Sequence, residues 1–495
     1  MLYASPAMGT TFIISSMNIV QSLYAKYFGI GLGTIATILL LSRIFDAFTD
    51  PLIGHFSDRY QARHGTRKPF MIAGVLLLIV ATFFLLIPGD FAPMTTVSPS
   101  DTDSNPMSPA NFAMALLAMG IAVTLFDIPH NAWGSEIAPS AQEKNRLFLM
   151  RIAAGSVGLL LFFTLPLLPF FDTRDITPQT LQWAFMVGAV ILLPLLFFSM
   201  KNIPNGAAPE ALATSDDQRK KRTAKGDSNW RLFFTTLSGN RPFKIFLLAI
   251  VMVSIAGGML NAMLFFFIDV YLGMGDQFAL LSAIGWFFSL LSLWLSYQLF
   301  THLGKNRSWV ILLFLEGGCL LIYTQLKPGG DNFLPVLAAI TLFNAAFGAI
   351  WALASAQLSH IIDYDTLKTG KDRAATFFAI HLFNQKVMLA IGAALAFAVA
   401  SWFGFDATAT VHSEKSAFGV LLAMVYLPVL CLMLAIIFVR LNPLTDHRNR
   451  VIRRRLDARI ARAKRNHRDS EKRESIANTT FELVTPAVAE LKPST

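Results

Sequence analysis

Twelve apolar blocks of about 20 to 30 residues, parted by short polar breaks, constrain this chain more than any other feature, because that is the length a helix needs to cross a hydrocarbon core of about 30 Å. The blocks fall at roughly residues 4–27, 33–56, 69–88, 111–137, 147–171 and 181–200, then at 243–268, 277–300, 307–326, 332–362, 374–402 and 416–440. Hydrophobic residues make up 54% of the 495 and charged residues only 15%, which is more apolar than a soluble domain. The expected fold class is therefore an all-α membrane protein with twelve transmembrane helices. The expected organisation is an N-terminal six-helix half over 1–200, a cytoplasmic linker over 201–241 carrying Lys220, Lys221, Arg222 and Lys225, a C-terminal six-helix half over 242–440, and a basic tail over 441–495.

The first block contains Gly9, Ser15, Ser16, Asn18 and Gln21 and lacks a charged start with a small-residue cleavage site, so it reads as an uncleaved span. Cys319 and Cys431 lie inside separate spans and imply neither a disulfide nor a metal. Basic residues in short loops mark the cytoplasmic side. Arg59, Arg63, Arg67 and Lys68 follow span 2, Lys144 and Arg146 span 4, Lys305 and Arg307 span 8, and Lys368, Lys371 and Arg373 span 10; the opposite loop from Pro88 to Asn111 holds Asp90, Asp101 and Asp103. Both termini are expected in the cytoplasm. The net charge of +10 is largely this same signal and does not argue for nucleic acid. In the tail, Ile452, Leu456 and Ile460 recur between arginines, which fits either an amphipathic helix on an anionic membrane surface or a solvated helical tail.

Charges inside spans cost about 2.5–3.5 kcal/mol on insertion scales, so those that persist face a cavity or a partner. Span 2 carries Arg43, Asp46 and Asp50, spaced three and four apart and so on one helical face. Two carboxylates this close stay ionised in a low dielectric only with a cation between them or with one protonated. Asp46 and Asp50, with Thr49 on the same helix and Thr124 on span 4, form the candidate cation site, and the two carboxylates are the ligands of Na⁺ if sodium couples. The competing reading is a structural Arg43–Asp46 pair that pins helices together. Asp127 on span 4 is a candidate acceptor for substrate hydroxyls or a protonatable relay. Lys386 lies about twelve residues into span 11 and needs an anionic partner at that depth. Arg151 reads either as a substrate contact or inner gate with Glu136, or as a positive-inside anchor. Trp351 reads either as a stacking face for a sugar ring or as packing. Asp363, with Asp365 and His360, sits where an inner-gate charge network would lie. There is no Gly-rich phosphate loop, HExxH or nucleophile elbow, so no enzyme is expected.

Three blocks together resemble one family. They are Gly29 to Pro69, with Arg43-x-x-Asp46-x-x-x-Asp50-Pro51-x-x-Gly54 and Ser57-Asp58-Arg59; Thr124 to Arg151; and Ser359 through Asp363-Tyr364 and Arg373 to Lys386 and Gly404. The chain resembles the melibiose-carrier-like glycoside/pentoside/hexuronide:cation symporters of the major facilitator superfamily. That resemblance implies two rocking six-helix bundles. It implies a Na⁺ or H⁺ site at Asp46, Asp50, Thr49 and Thr124, with Lys386 beside it and Asp127, Arg151 and Trp351 facing the substrate. Arg43, Asp58, Arg59, Glu136, Asp363 and Arg373 are the expected gating and coupling residues. The chain departs from the sugar-carrying pattern at Thr10, where those carriers have an acid, at Asn131, where they have a Trp, at His360, where they have an acid, and at Thr49, where melibiose carriers have an amide; Thr10 and Asn131 remain candidate substrate contacts. The expected function is cation-coupled symport of a small hydrophilic, sugar-like solute, with no cofactor beyond the coupling ion, by a monomer in a bacterial inner membrane. A lysolipid carrier of the same family and a non-transporting membrane receptor are the alternatives.

Overall fold

A computed structural model describes residues 2–87, 108–137, 141–169, 171, 174–205, 239–370, 373–409, 412–444, 448–456 and 458. Most of the linker expected at 201–241, most of the acidic loop and the tail beyond residue 458 lie outside these residues. In lipid every backbone N–H and C=O must be paired within the protein, and helices do this within one segment. The described residues accordingly form twelve helical passages. The first half holds α1 (Ser5–Ser15 and Met17–Phe28), α2 (Leu32–His64), α3 (Lys68–Leu86), α4 (Pro109–Ile137), α5 (Ala141–Thr164) and α6 (Pro178–Asn202). The second holds α7 (Arg241–Phe265, prolonged by Phe266–Tyr271), α8 (Gly275–Leu303), α9 (Lys305–Ile322), α10 (Phe333–Thr369), α11 (Ala374–Trp402) and α12 (Glu414–Leu421, Leu422–Tyr426 and Leu427–Leu441).

Ten of the passages are single stretches long and apolar enough to span a bilayer. The other two are α1, broken at Ser16, and α8. Side chains such as Phe48, Val190, Phe84 and Phe197 are more than half exposed, a surface that only lipid covers without cost. Two helices overshoot the sequence expectation. α2 runs to His64 and α10 to Thr369, because both continue past the apolar block as polar helix until a glycine in the left-handed region, Gly65 (φ 70°) or Gly370 (φ 69°), ends them.

Within each half the helices approach where side chains are small, the packing rule for membranes that lack a hydrophobic drive between helices. α7 meets α11 at Gly258, where a Cβ would overlap the Leu389 carbonyl, and at Gly392, where it would overlap the Ile255 carbonyl. The halves touch each other on the face away from the basic loops. Lys26 at the end of α1 pairs with Asp269 at 2.6 Å, and Asp269 is carried on the π-helical turn that extends α7. On the same face Gly33 approaches Ser401, and Phe163 meets Phe278 edge to face.

The close approach of α7 and α11 makes a stability prediction. Gly258→Ala is expected to cost about 1–3 kcal/mol through overpacking and to lower the thermal unfolding midpoint of the purified protein. Gly318→Ala, at a helical site with open space around it, is expected to leave the midpoint unchanged.

Candidate functional site

Between the halves lies a cavity of about 260 Å³, lined by Gln21 of α1, Arg43 and Asp46 of α2, Gly120 of α4, Asn261 of α7 and Lys386 of α11 among apolar neighbours. Ile14, Met17 and Gln21 flank the break in α1, where Ser16 turns its hydroxyl to the Ile13 carbonyl at 2.6 Å.

The i, i+3, i+7 spacing of Arg43, Asp46 and Asp50 delivers what helical geometry requires. Arg43 Nη1 lies 2.7 Å from Asp46 Oδ2. From the other half, Lys386 Nζ lies 2.7 Å from Asp50 Oδ2 and 3.8 Å from Asp46 Oδ2, so one ammonium sits between two carboxylates. Thr124 donates its hydroxyl hydrogen to Asp50 Oδ1 at 2.7 Å. Two cations and two anions thus balance in a site where Asp46 is only 5% exposed. Gly120 makes room for this: a Cβ there would stand 3.1 Å from Asp46 Oδ1. The Arg43 Nε is buried and has no hydrogen-bond partner among the described residues. Thr49 is elsewhere occupied, its hydroxyl turned back to the carbonyls of Phe45 and Asp46 at 3.3 and 3.5 Å.

One turn nearer the basic face, Arg151 Nη2 meets Asp127 Oδ1 at 2.5 Å and Arg151 Nε donates to His130 Nδ1 at 3.2 Å. A guanidinium only donates, so His130 holds its proton on Nε2, which lies 2.9 Å from the Tyr3 carbonyl. Asn131 donates to the Asp127 carbonyl, one turn back in its own helix, at 2.8 Å. Thr10 is buried outside the cavity and bonds the carbonyls of Pro6 and Ala7. Trp351 packs inside the second half, edge to face with Phe347 at 5.7 Å, and does not line the cavity.

At the basic face the charges group differently from the sequence reading. Glu136 pairs with Arg67, not with Arg151: Arg67 Nε donates to Glu136 Oε1 at 2.9 Å, Nη1 to the Ser57 hydroxyl at 3.0 Å, and the same guanidinium reaches Asp58 at 2.6 Å. Arg67 is 7% exposed, although the sequence counted it only as a loop charge. Arg59 is exposed. In the second half Arg373 pairs with Asp365, Nη2 reaching its two carboxylate oxygens at 2.7 and 2.8 Å and Nε one of them at 3.0 Å, and Asn240 adds a bond to Asp365 at 3.4 Å. Asp363 lines a separate cavity beside the α8–α9 turn. Gln21 and Asn261 line the central cavity without having been singled out as contacts; an amide in an apolar span was the available signal.

Comparison with known proteins is consistent along the chain. The family model described as MFS/sugar transport protein matches residues 2–446. The chain is 22% identical over 450 residues to the putative glycoside/cation symporter YagG of Escherichia coli (strain K12), covering 89% of this chain and 90% of that protein. It is 22% identical to the glucuronide carrier protein homolog of the same organism, covering 92% of each. In structure it resembles the nucleoside transporter NupG at a TM-score of 0.61 and 11% identity, over 88% of this chain and 98% of that one. All of these are transporters rather than enzymes, and the chain belongs to the glycoside–pentoside–hexuronide:cation symporters of the MFS/sugar transport protein family.

Proposed function

We propose that the protein is a cation-coupled symporter that moves a small hydrophilic, sugar or sugar-derived solute by alternating access, with Asp46 and Asp50 as the site for Na⁺ or H⁺. The observation that carries this reading is the position of Lys386. Its ammonium comes from α11 and occupies the space between two carboxylates of α2, so a Na⁺ bound there, or a proton taken up by Asp50, replaces the same charge. Lys386 and the ion compete, and the competition couples ion binding to the bridge between the halves. Hydroxyl oxygen from Thr124 completes an all-oxygen environment suited to a hard monovalent ion.

The solute binds in the cavity beside this site. Its volume of about 260 Å³ and its wall of Arg43, Asp46, Lys386, Gln21 and Asn261 suit a small polar molecule, and the unpartnered Arg43 Nε offers a donor to a hydroxyl oxygen. The relatives named for glycosides and glucuronides support a sugar-derived solute. Asp127 and Arg151 lie on the route from the basic face and contact the solute as it leaves. We place that face, with both termini, in the cytoplasm of a bacterium, from the loop charges. The Lys26–Asp269 pair then closes the outer end, while the Arg67 and Arg373 clusters brace the inner helix ends within each half of a monomer.

Two predictions follow from the ion site and the outer closure. In proteoliposomes tested with monosaccharides, uronic acids and lysolipids under Na⁺ or pH gradients, one polar solute is expected to accumulate. Loss of a charged ligand contact is worth about 1.5–3 kcal/mol, so Asp46→Asn and Asp50→Asn are each expected to weaken ion binding by roughly ten- to a hundredfold and to abolish accumulation by the protein that still inserts. Gradient-driven accumulation that survives either change sinks the site. In a Cys319→Ala, Cys431→Ala background, Lys26→Gln is expected to raise labelling of Ser282→Cys, which is buried between the halves, by a membrane-impermeant maleimide. The exchanged pair Lys26→Asp with Asp269→Lys is expected to restore protection.

A further inference from the structure

A smaller cavity adjoins the central one, and Asn261 of α7 stands in the wall of both. Its volume is about 50 Å³, room for about two non-hydrogen atoms at the roughly 30 Å³ that a water takes in the liquid, and too little for a sugar ring. The walls come from both halves. Phe163 of α5 belongs to the first, and Phe278, Ser282 and Trp286 of α8 with Phe343 and Asn344 of α10 belong to the second. The edge-to-face contact of Phe163 with Phe278 is part of that wall. None of the described residues that line this pocket is charged, in contrast to the central cavity, where Arg43, Asp46 and Lys386 meet.

Helix geometry sets the polar groups of the pocket. Asn344 is 8% exposed, and its Nδ2 donates to the Ile340 carbonyl, one turn back in α10, at 3.0 Å. A backbone carbonyl only accepts, which fixes the orientation of the amide. The nitrogen also lies against α8 at Gly285, where a Cβ would stand 2.8 Å from it. The amide oxygen is the atom left over, and no described residue donates to it. Ser282, 4% exposed, likewise has no hydrogen-bond partner among the described residues. A buried acceptor without a donor is costly, so the pocket favours an occupant that brings an O–H. An acceptor and a hydroxyl among aromatic rings suit a neutral carbon bearing one hydroxyl. A carboxylate would bring a charge with no cation beside it. A hydrogen in the same place would leave the amide oxygen unpaired.

We propose that this pocket takes the hydroxymethyl group of a hexopyranose whose ring lies in the central cavity, so that the solute is a neutral hexose or hexoside rather than a pentose or a uronic acid. The assignment rests on the sugar reading given above. The test measures binding to the full-length protein in nanodiscs by isothermal titration calorimetry, in Na⁺ buffer and in acidic Na⁺-free buffer. Two sets of probes differ only in the group on the fifth carbon: D-glucose, D-xylose and D-glucuronate in one, D-galactose, L-arabinose and D-galacturonate in the other. In at least one set the hexose is expected to bind at least about tenfold more tightly than the pentose and the uronate. Asn344→Leu and, separately, Ser282→Ala are expected to shrink that preference. A pentose or a uronate that binds as tightly as its hexose overturns the pocket and leaves the sugar reading standing, whereas binding of none of the six sinks both. A hexose preference undiminished in Asn344→Leu and Ser282→Ala also overturns the pocket.

Discussion

The ion pair between Lys386 and the α2 carboxylates is the interaction on which the arrangement of this molecule depends. A lone lysine twelve residues into a span, or two acids one turn apart at the same depth, would each be a large cost in hydrocarbon. Together with Arg43 they cancel, but only while α2 and α11 face each other across the middle of the molecule. Each half thus carries charge that it does not balance alone. This makes the contact between halves sensitive to any small cation that offers the carboxylates a different partner.

The remaining charged contacts divide by whether they cross between halves. Arg67 with Asp58 and Glu136 stays within the first half, and Arg373 with Asp365 within the second. Such pairs hold helix ends in fixed relation and leave a half free to move as a body. Lys26 with Asp269 and Lys386 with Asp50 join the halves, one at the closed face and one at the centre. In the proposed cycle, a rocking motion that opens the closed face would break the first, and an ion that neutralised the second would lower the work of doing so.

The bilayer made most of the fold legible in the sequence. Backbone pairing and hydrocarbon thickness allow few solutions, so block length alone gives passages close to those observed. The helix ends of α2 and α10 were less legible, because beyond the hydrocarbon the helix is sustained by polar sequence and stops only at Gly65 and Gly370. The charges of the central cluster were conspicuous for the same reason that the spans were: each is expensive where it stands. Arg67 was not, since an arginine in a short basic loop looks like an orientation signal whether or not it folds back onto Ser57, Asp58 and Glu136. The pairing of Glu136 was misjudged on the same ground, because sequence distance does not reveal that Arg151 is held by Asp127 and His130.

Small residues were the least legible part of the site. Gly120 has no chemistry of its own, yet its missing side chain lets Asp46 lie against α4 and so bring the Thr124 hydroxyl within reach of Asp50. A Cβ at position 120 would press on Asp46 Oδ1, the oxygen other than the one Lys386 approaches at 3.8 Å. On the proposed reading, the volume of one methyl group therefore bears on the balance between Lys386 and a competing cation, because the separation of the two carboxylates matters as well as their presence.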